Sequence, residues 1–335
     1  MTAATAGPGR DAPPRVIDRG LLPSERVFNG AALSVGALVL AITGLIGLFL
    51  FRQLIFTLHT YGWQFFTQEQ WLPDVNKVGV AAALMGTVEV AGVAIIVSVP
   101  LALLTALFIT EYAPRWLRGP LVSMIDLMAA IPSIVYGLWG FFLLEPRAAE
   151  VTRWLSEYFG WFPLFRVATD SHAAVVEVGS NYYGSVAIAG VVVAMMVTPI
   201  ACAVMRSVFA QAPVGEREAA LALGATRWGV IQSVVLPFGR GGLIGGTMLG
   251  LGRALGETIA VLIIISTVFS VNFHVLQTGT ITVSALIGSR WNESTPAQLS
   301  ALLAAGFVLF CITMVVNFIA AALITRSRSG TATEI

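Results

Sequence analysis

The sequence predicts an all-α, polytopic membrane protein with six transmembrane helices and a helix-turn-helix on the cytoplasmic face. Composition is the first of three observations behind this prediction: 57% of the 335 residues are hydrophobic and 11% charged, with a mean hydropathy of +0.84. A soluble domain carries about 25% charged residues. Second, the apolar residues gather into runs of about 20 positions, the length that crosses a bilayer as a helix. Third, a charged amphipathic stretch, residues 213–237, leads through Leu236-Pro237 into a glycine-rich apolar run.

Residues 1–29 are polar, rich in Pro and Gly, and carry Arg10, Arg15, Arg19 and Arg26. They read as a disordered cytoplasmic tail in front of a membrane domain at 30–325. The first apolar run, 31–51, exceeds the short core of a cleavable signal peptide and reads as a true spanning helix. Residues 56–71 hold Tyr61, Trp63, Phe65, Phe66 and Trp71 among too many polar residues to span. They read as an interfacial segment in the aromatic belt. Further spans are expected at 78–110, 121–144, 183–205, 242–269 and 299–325, followed by a cytoplasmic C-terminal tail at 326–335. The second span is longer than the bilayer requires and contains Pro100, which suggests a tilt, a kink or an emergent last turn.

Arginine sets the orientation. With the N-terminal tail inside, the inner segments carry Arg115 and Arg118, then Arg206, Arg217, Arg227 and Arg240, then Arg326 and Arg328. The long outer loop, 145–182, holds Glu145, Glu150, Glu157, Asp170 and Glu177. This positive-inside bias puts both termini in the cytoplasm, as an even number of spans requires.

Several functions are excluded. Lys77 is the only lysine and lies in Asn76-Lys77-Val78, so no Gly-Lys-Ser/Thr phosphate loop exists and the chain is not itself a P-loop ATPase. His59, His172 and His274 are scattered, without HExxH spacing or nearby cysteines, and no metal site is expected. Cys202 and Cys311 sit in apolar runs as small hydrophobes rather than as a disulfide or zinc framework. No nucleophile–base constellation marks a catalytic site; neither a cofactor nor nucleic acid is expected, and membrane lipid is the surrounding partner.

In the central stretch, Pro213 suits the first position of a helix, and Glu216 and Glu218 lie in its first turns, where they complement the helix dipole. Ala219 to Leu223 favour helix, and Gly224 is placed to end it in a left-handed conformation. A second short helix is expected over 226–236, interrupted by Pro237. The apolar set Ala219, Ala220, Leu223, Trp228, Val230, Ile231, Val234 and Val235 either packs on the chain's own membrane helices or is offered to a partner's groove. The residues alone leave both open.

Glu218-Ala219-Ala220, Gly224 and Leu236-Pro237 resemble, in identity and spacing, the EAA loop of ABC importer permeases, with Val234 where that family has isoleucine. The resemblance implies that Glu218, Ala219, Ala220 and Gly224 are ATPase-contacting or turn-forming positions of a coupling helix. The missing phosphate loop is then expected, because a separate subunit hydrolyses ATP. Residues 245–258 (GGTMLGLGRALGET) and 130–140 (AIPSIVYGLWG) are similar to the PstC-type permease of the bacterial phosphate-specific importer. That family implies one membrane subunit of an ATP-driven inorganic phosphate importer in the bacterial inner membrane. Its implied partners are a second homologous permease, two ATPase subunits and an extracytoplasmic phosphate-binding protein. The alternatives are a permease for another oxyanion such as sulfate or molybdate, and an ATP-independent channel or secondary transporter in which 213–237 packs only on its own helices.

Gly242, Gly246, Gly250, Arg253 and Glu257 are spaced by four, four, three and four residues and are expected on one inward helix face. Gly246 and Gly250, and Gly252 and Gly256, form small-xxx-small pairs that admit another helix. Arg253 lies roughly 15–20 Å along the span, near mid-membrane, where a charge costs at least about 2.5–3.5 kcal/mol. Either Glu257 pairs with it and fastens helices together, or Arg253 offers its fork of donors to a phosphate in transit while Glu257 orients it or gates. Ser133, after Pro132, either lines the pathway or is a locally bonded serine at a proline kink. Glu89 faces the pathway or pairs with another helix, and Asp126 makes a structural or helix-end contact.

Overall fold

The computed structural model describes residues 23–75, 77–167 and 182–328. Most of the expected N-terminal tail, the later part of the loop at 145–182 (residues 168–181), and most of the C-terminal tail lie outside these. The chain divides into two units, residues 1–48 and 49–335. The described part of the first unit is the start of helix α1 (Pro23–Tyr61), exposed along its length. At 39 residues α1 begins before and ends after the span expected at 31–51.

In the second unit α1 ends at Tyr61, and Gly62 turns the chain with φ +67° into the short α2 (Gln64–Thr67). A two-stranded antiparallel hairpin follows, β1 (Trp71–Leu72) with β2 (Lys77–Val78), pairing Trp71 with Val78. For two of the five aromatics the expectation of an aromatic belt is corrected, while Trp63 stays exposed. Val80 N–H bonds to Phe65 O and Gly79 N–H to Gln70 O, which folds this segment back onto the chain and buries Phe65 and Trp71 in the core.

Helix α3 (Ala81–Leu107) carries Pro100 inside it without ending and closes in a π-helical turn, Phe108–Tyr112. The next expected span is not straight. α4 (Arg115–Ala130) and α5 (Ser133–Trp139) meet at a 91° bend, where Ile131, held extended by Pro132, cannot continue the helix. After a π turn at Gly140–Leu144 the chain stays helical as α6 (Glu145–Phe159), so the first part of the expected outer loop is helix. Glu145 is buried there and accepts the Gly184 N–H at 2.6 Å, tying α6 to the entry of α7 (Val186–Phe209).

Helix α8 (Val214–Ala222) leads through Gly224 into α9 (Arg227–Val230). The interruption expected at Pro237 is absent. A π turn, Ile231–Val235, passes directly into α10 (Leu236–Gly256), so Pro237, which has no N–H to donate, sits inside a continuous helix immediately after the wider π turn. The span expected at 242–269 ends instead at Gly256. Glu257 is extended, and α11 (Ile259–Ile264), a loop, α12 (Val283–Arg290) and α13 (Pro296–Arg328) complete the order. Among the described residues five helices are long and apolar enough to cross a membrane, six when the bent α4–α6 run counts as one span. Small residues let the spans approach: a Cβ at Gly190 of α7 would stand 2.5 Å from Val93 Cγ1 of α3.

Candidate functional site

The glycines of α10 face α7. A Cβ at Gly242 would meet Val208 Cβ at 2.5 Å, one at Gly246 the Ala201 carbonyl oxygen at 2.9 Å, and one at Gly250 Val197 Cγ1 at 2.5 Å. That buried row continues at Ala254 rather than at Arg253, which is exposed. The expected single face carrying Gly242, Gly246, Gly250, Arg253 and Glu257 is therefore corrected. Helical spacing alone puts position 253 on the angular stripe of the glycines, yet Arg253 is exposed where they are buried, and the helix ends at Gly256, before Glu257.

Arg253 and Glu257 go separate ways. Glu257 is buried, and its Oε1 accepts the Ala260 N–H at 3.3 Å, capping the first turn of α11. On the other side of the break Ser284 Oγ donates to Leu255 O at 3.2 Å. The opened backbone is thus satisfied within the protein, the condition for non-helical chain at membrane depth. Among the described residues no carboxylate lies within 4.0 Å of the Arg253 guanidinium. Arg253 lines a cavity of about 530 Å³ with Leu249 and Gly252 of α10, Ile200 of α7, and Asn317 and Ala320 of α13.

The second discontinuity, at Ile131-Pro132, adjoins the first. Tyr136 Oη donates to Met128 O at 2.9 Å across the bend. Gly137 of α5 packs directly on Ala260 of α11, where an added Cβ would come within 2.9 Å of the Ala260 Cα. Ser133 begins α5, half-buried, and its hydroxyl makes no hydrogen bond among the described residues. Two interrupted helices therefore bring Ser133, Tyr136, Arg253 and Glu257 into one region, with Arg253 the cationic member.

Other intramembrane carboxylates lie elsewhere. Both Glu89 oxygens are buried without a hydrogen-bond partner among the described residues, and Asp126 is exposed on α4. Neither lines the Arg253 cavity.

The α8–α9 turn forms as its residues dictate. Gly224 has φ +88°, its N–H bonds to Leu221 O at 2.9 Å, and the next N–H reaches Ala220 O at 3.0 Å, closing the helix end. Thr226 then caps α9 by accepting the Gly229 N–H at 3.2 Å. The apolar set left open by sequence divides into a buried and an exposed part. Val230, Ile231, Val234 and Val235 are buried against the chain's own helices, while Ala219, Leu223 and Trp228 are exposed together with Glu218 and Gly224; Ala220 is half-buried.

Sequence reasoning missed Arg217 with its partner Glu111, the bend-spanning Tyr136, and Asn317 on the cavity wall. The local signals were an acid just past the end of the 78–110 span and an amide within the 299–325 span.

Comparison with known proteins agrees with this architecture. Residues 98–329 match the family model described as binding-protein-dependent transport system inner membrane component. The phosphate transport system permease protein PstC 2 of Mycobacterium tuberculosis is 39% identical over 89% of this chain and 91% of its own length. PstC of Xylella fastidiosa (strain 9a5c) is 41% identical over 80% of this chain and 81% of its own. A solved bacterial ABC transporter involved in the import of alginate aligns with TM-score 0.54 and 17% identity, covering 92% of this chain and 100% of that one, a likeness of fold. The chain belongs to the family of binding-protein-dependent transport system inner membrane components, and within it to the PstC-type permeases.

Proposed function

We propose that this chain is the PstC-type permease of an ATP-driven inorganic phosphate importer, with Arg253 as its contact to the anion in transit. One observation carries the reading: the guanidinium faces a cavity among spanning helices with no counter-ion from the described residues. The neighbouring carboxylate that would neutralise it is engaged in capping α11 instead. A fork of donors left open in this way suits an oxyanion, which it can hold through two parallel bonds. Ser133 stands at the adjoining bend as a further donor, and Glu257 acts as a positioning residue by shaping the break after Gly256.

The pathway is completed by a second homologous permease, against which the half-buried Gly252 and the exposed Gly256 allow close approach; a Cβ at either meets nothing of another element within 4 Å. Two ATPase subunits dock on the exposed residues around Glu218, Ala219 and Gly224, and an extracytoplasmic binding protein delivers phosphate. Both termini lie in the cytoplasm, in accord with the arginine bias of the inner segments. The chain hydrolyses nothing itself.

The test is ATP hydrolysis by the reconstituted complex, supplied with binding proteins loaded with phosphate or with sulfate. Phosphate is expected to stimulate turnover and accumulate inside. Stimulation by sulfate alone would reassign the substrate, and ATP-independent transport by this chain alone would overturn the reading.

A further inference from the structure

We propose that Arg217 is a coupling strut, whose bonds to Glu111 and to the end of α7 carry displacements of α8 into the α3–α4 junction. This rests on the reading of α8 as the helix that an ATPase subunit moves.

Helix α8 buries none of its nine residues, so apolar packing does not anchor it to the bundle. Arg217 does. Its Nη1 lies 3.1 Å from Glu111 Oε1, and its Nη2 donates to Phe209 O at 2.7 Å. The two charged side chains are only 22% and 12% exposed, so water screens their attraction far less than at an open surface. One planar guanidinium thus holds α8 to the π turn that closes α3 and to the last residue of α7. A lysine, with a single point charge, does not reproduce that fork.

The link continues. Arg118 of α4 grips the same end of α3 from the other side, donating from Nε to Ala113 O at 2.9 Å and from Nη2 to Thr110 O at 3.0 Å. α4 then runs to the Ile131-Pro132 bend that Tyr136 bridges. Helix π turns recur at functional hinges, and this one lies where both arginines pull. A cavity of about 180 Å³ between Glu111, Arg217, Leu221, Arg227 and Val230 leaves α8 room to shift against the bundle. Under such a shift the ion pair, rather than side-chain packing, transmits the load.

The complex of this chain with its partner permease, ATPase subunits and binding protein is reconstituted with Arg217→Gln, Arg217→Lys or Glu111→Gln. The readout is phosphate moved per ATP hydrolysed, which a merely structural contact would leave unchanged in complexes that assemble. Arg217→Gln is expected to retain the ATPase subunits and lower this ratio about tenfold, the worth of one charge-assisted bond, with the other two variants intermediate. A wild-type ratio in Arg217→Gln overturns the proposal. If that variant fails to assemble, Glu111→Gln, which spares the bond to Phe209, decides by the same criterion. Glu218→Lys separates the two levels: if it leaves ATPase binding and transport intact, α8 is not the docking helix. Loss of the ATPase in Glu218→Lys beside normal coupling in the Arg217 variants removes the strut alone.

Discussion

Replacing Arg253 by Gln removes the charge from the cavity wall and leaves a side chain of similar reach. No acid among the described residues compensates the guanidinium, so its interaction with a transported anion is not offset by a lost internal pair. At a separation of about 4 Å, a unit charge pair is worth roughly 4 kcal/mol at an effective dielectric of 20 and about 1 kcal/mol in bulk water. The cavity is open on one side, so the loss falls between these limits, a factor of about 5 to 10³ in uptake. Arg253→Lys keeps the charge but loses the second parallel bond and should fall between wild type and Gln. The assay is the initial rate of labelled phosphate uptake in cells that depend on this permease, normalised to assembled complex. Wild-type uptake in Arg253→Gln refutes the reasoning, as does a Lys variant no better than Gln.

Glu257→Gln preserves an oxygen acceptor for the Ala260 N–H, whereas Glu257→Ala removes it; the alanine variant should lose about 1 kcal/mol in the thermal stability of the purified chain, the glutamine much less. Gly250→Val forces a branched side chain against Val197, where even a Cβ stands at 2.5 Å, and should cost about 1–3 kcal/mol, read as lower yield and melting temperature. A Cβ at Gly252 meets no atom of a neighbouring element within 4 Å, so Gly252→Val should leave the isolated chain intact and weaken co-purification with the second permease. Gly224→Ala places a side chain at φ +88° and should destabilise the α8–α9 turn by about 1–2 kcal/mol, detected as faster proteolysis there.

The spans were legible because the bilayer imposes its thickness on sequence: a run of about 20 apolar residues has few alternatives to a membrane helix. The turn at Gly224 was legible for an equally local reason, since a left-handed backbone beside good helix formers calls for glycine. The bend at Pro132 was signalled by its proline, yet its 91° angle depends on the contacts of α5 with α11. Phe65 and Trp71 show the limit from the other side. Aromatic residues suit both a lipid interface and a core, and only the hairpin at residues 71–78 decides that these two are buried.

By itself the sequence determined the membrane class, the number of spans when the bent run counts as one, the glycine row of α10 and the α8–α9 turn, all properties of residues close along the chain. Tertiary structure decided the rest. Arg253 and Glu257, four positions apart, belong to different elements because the helix opens after Gly256, where Ser284 takes a freed carbonyl and Glu257 a freed amide. Arg217 and Glu111 are 106 positions apart, and their pairing exists only where α8 crosses the end of α3. Periodicity predicts which face a residue occupies while a helix lasts; where it ends, and which distant groups meet there, is set by packing between elements.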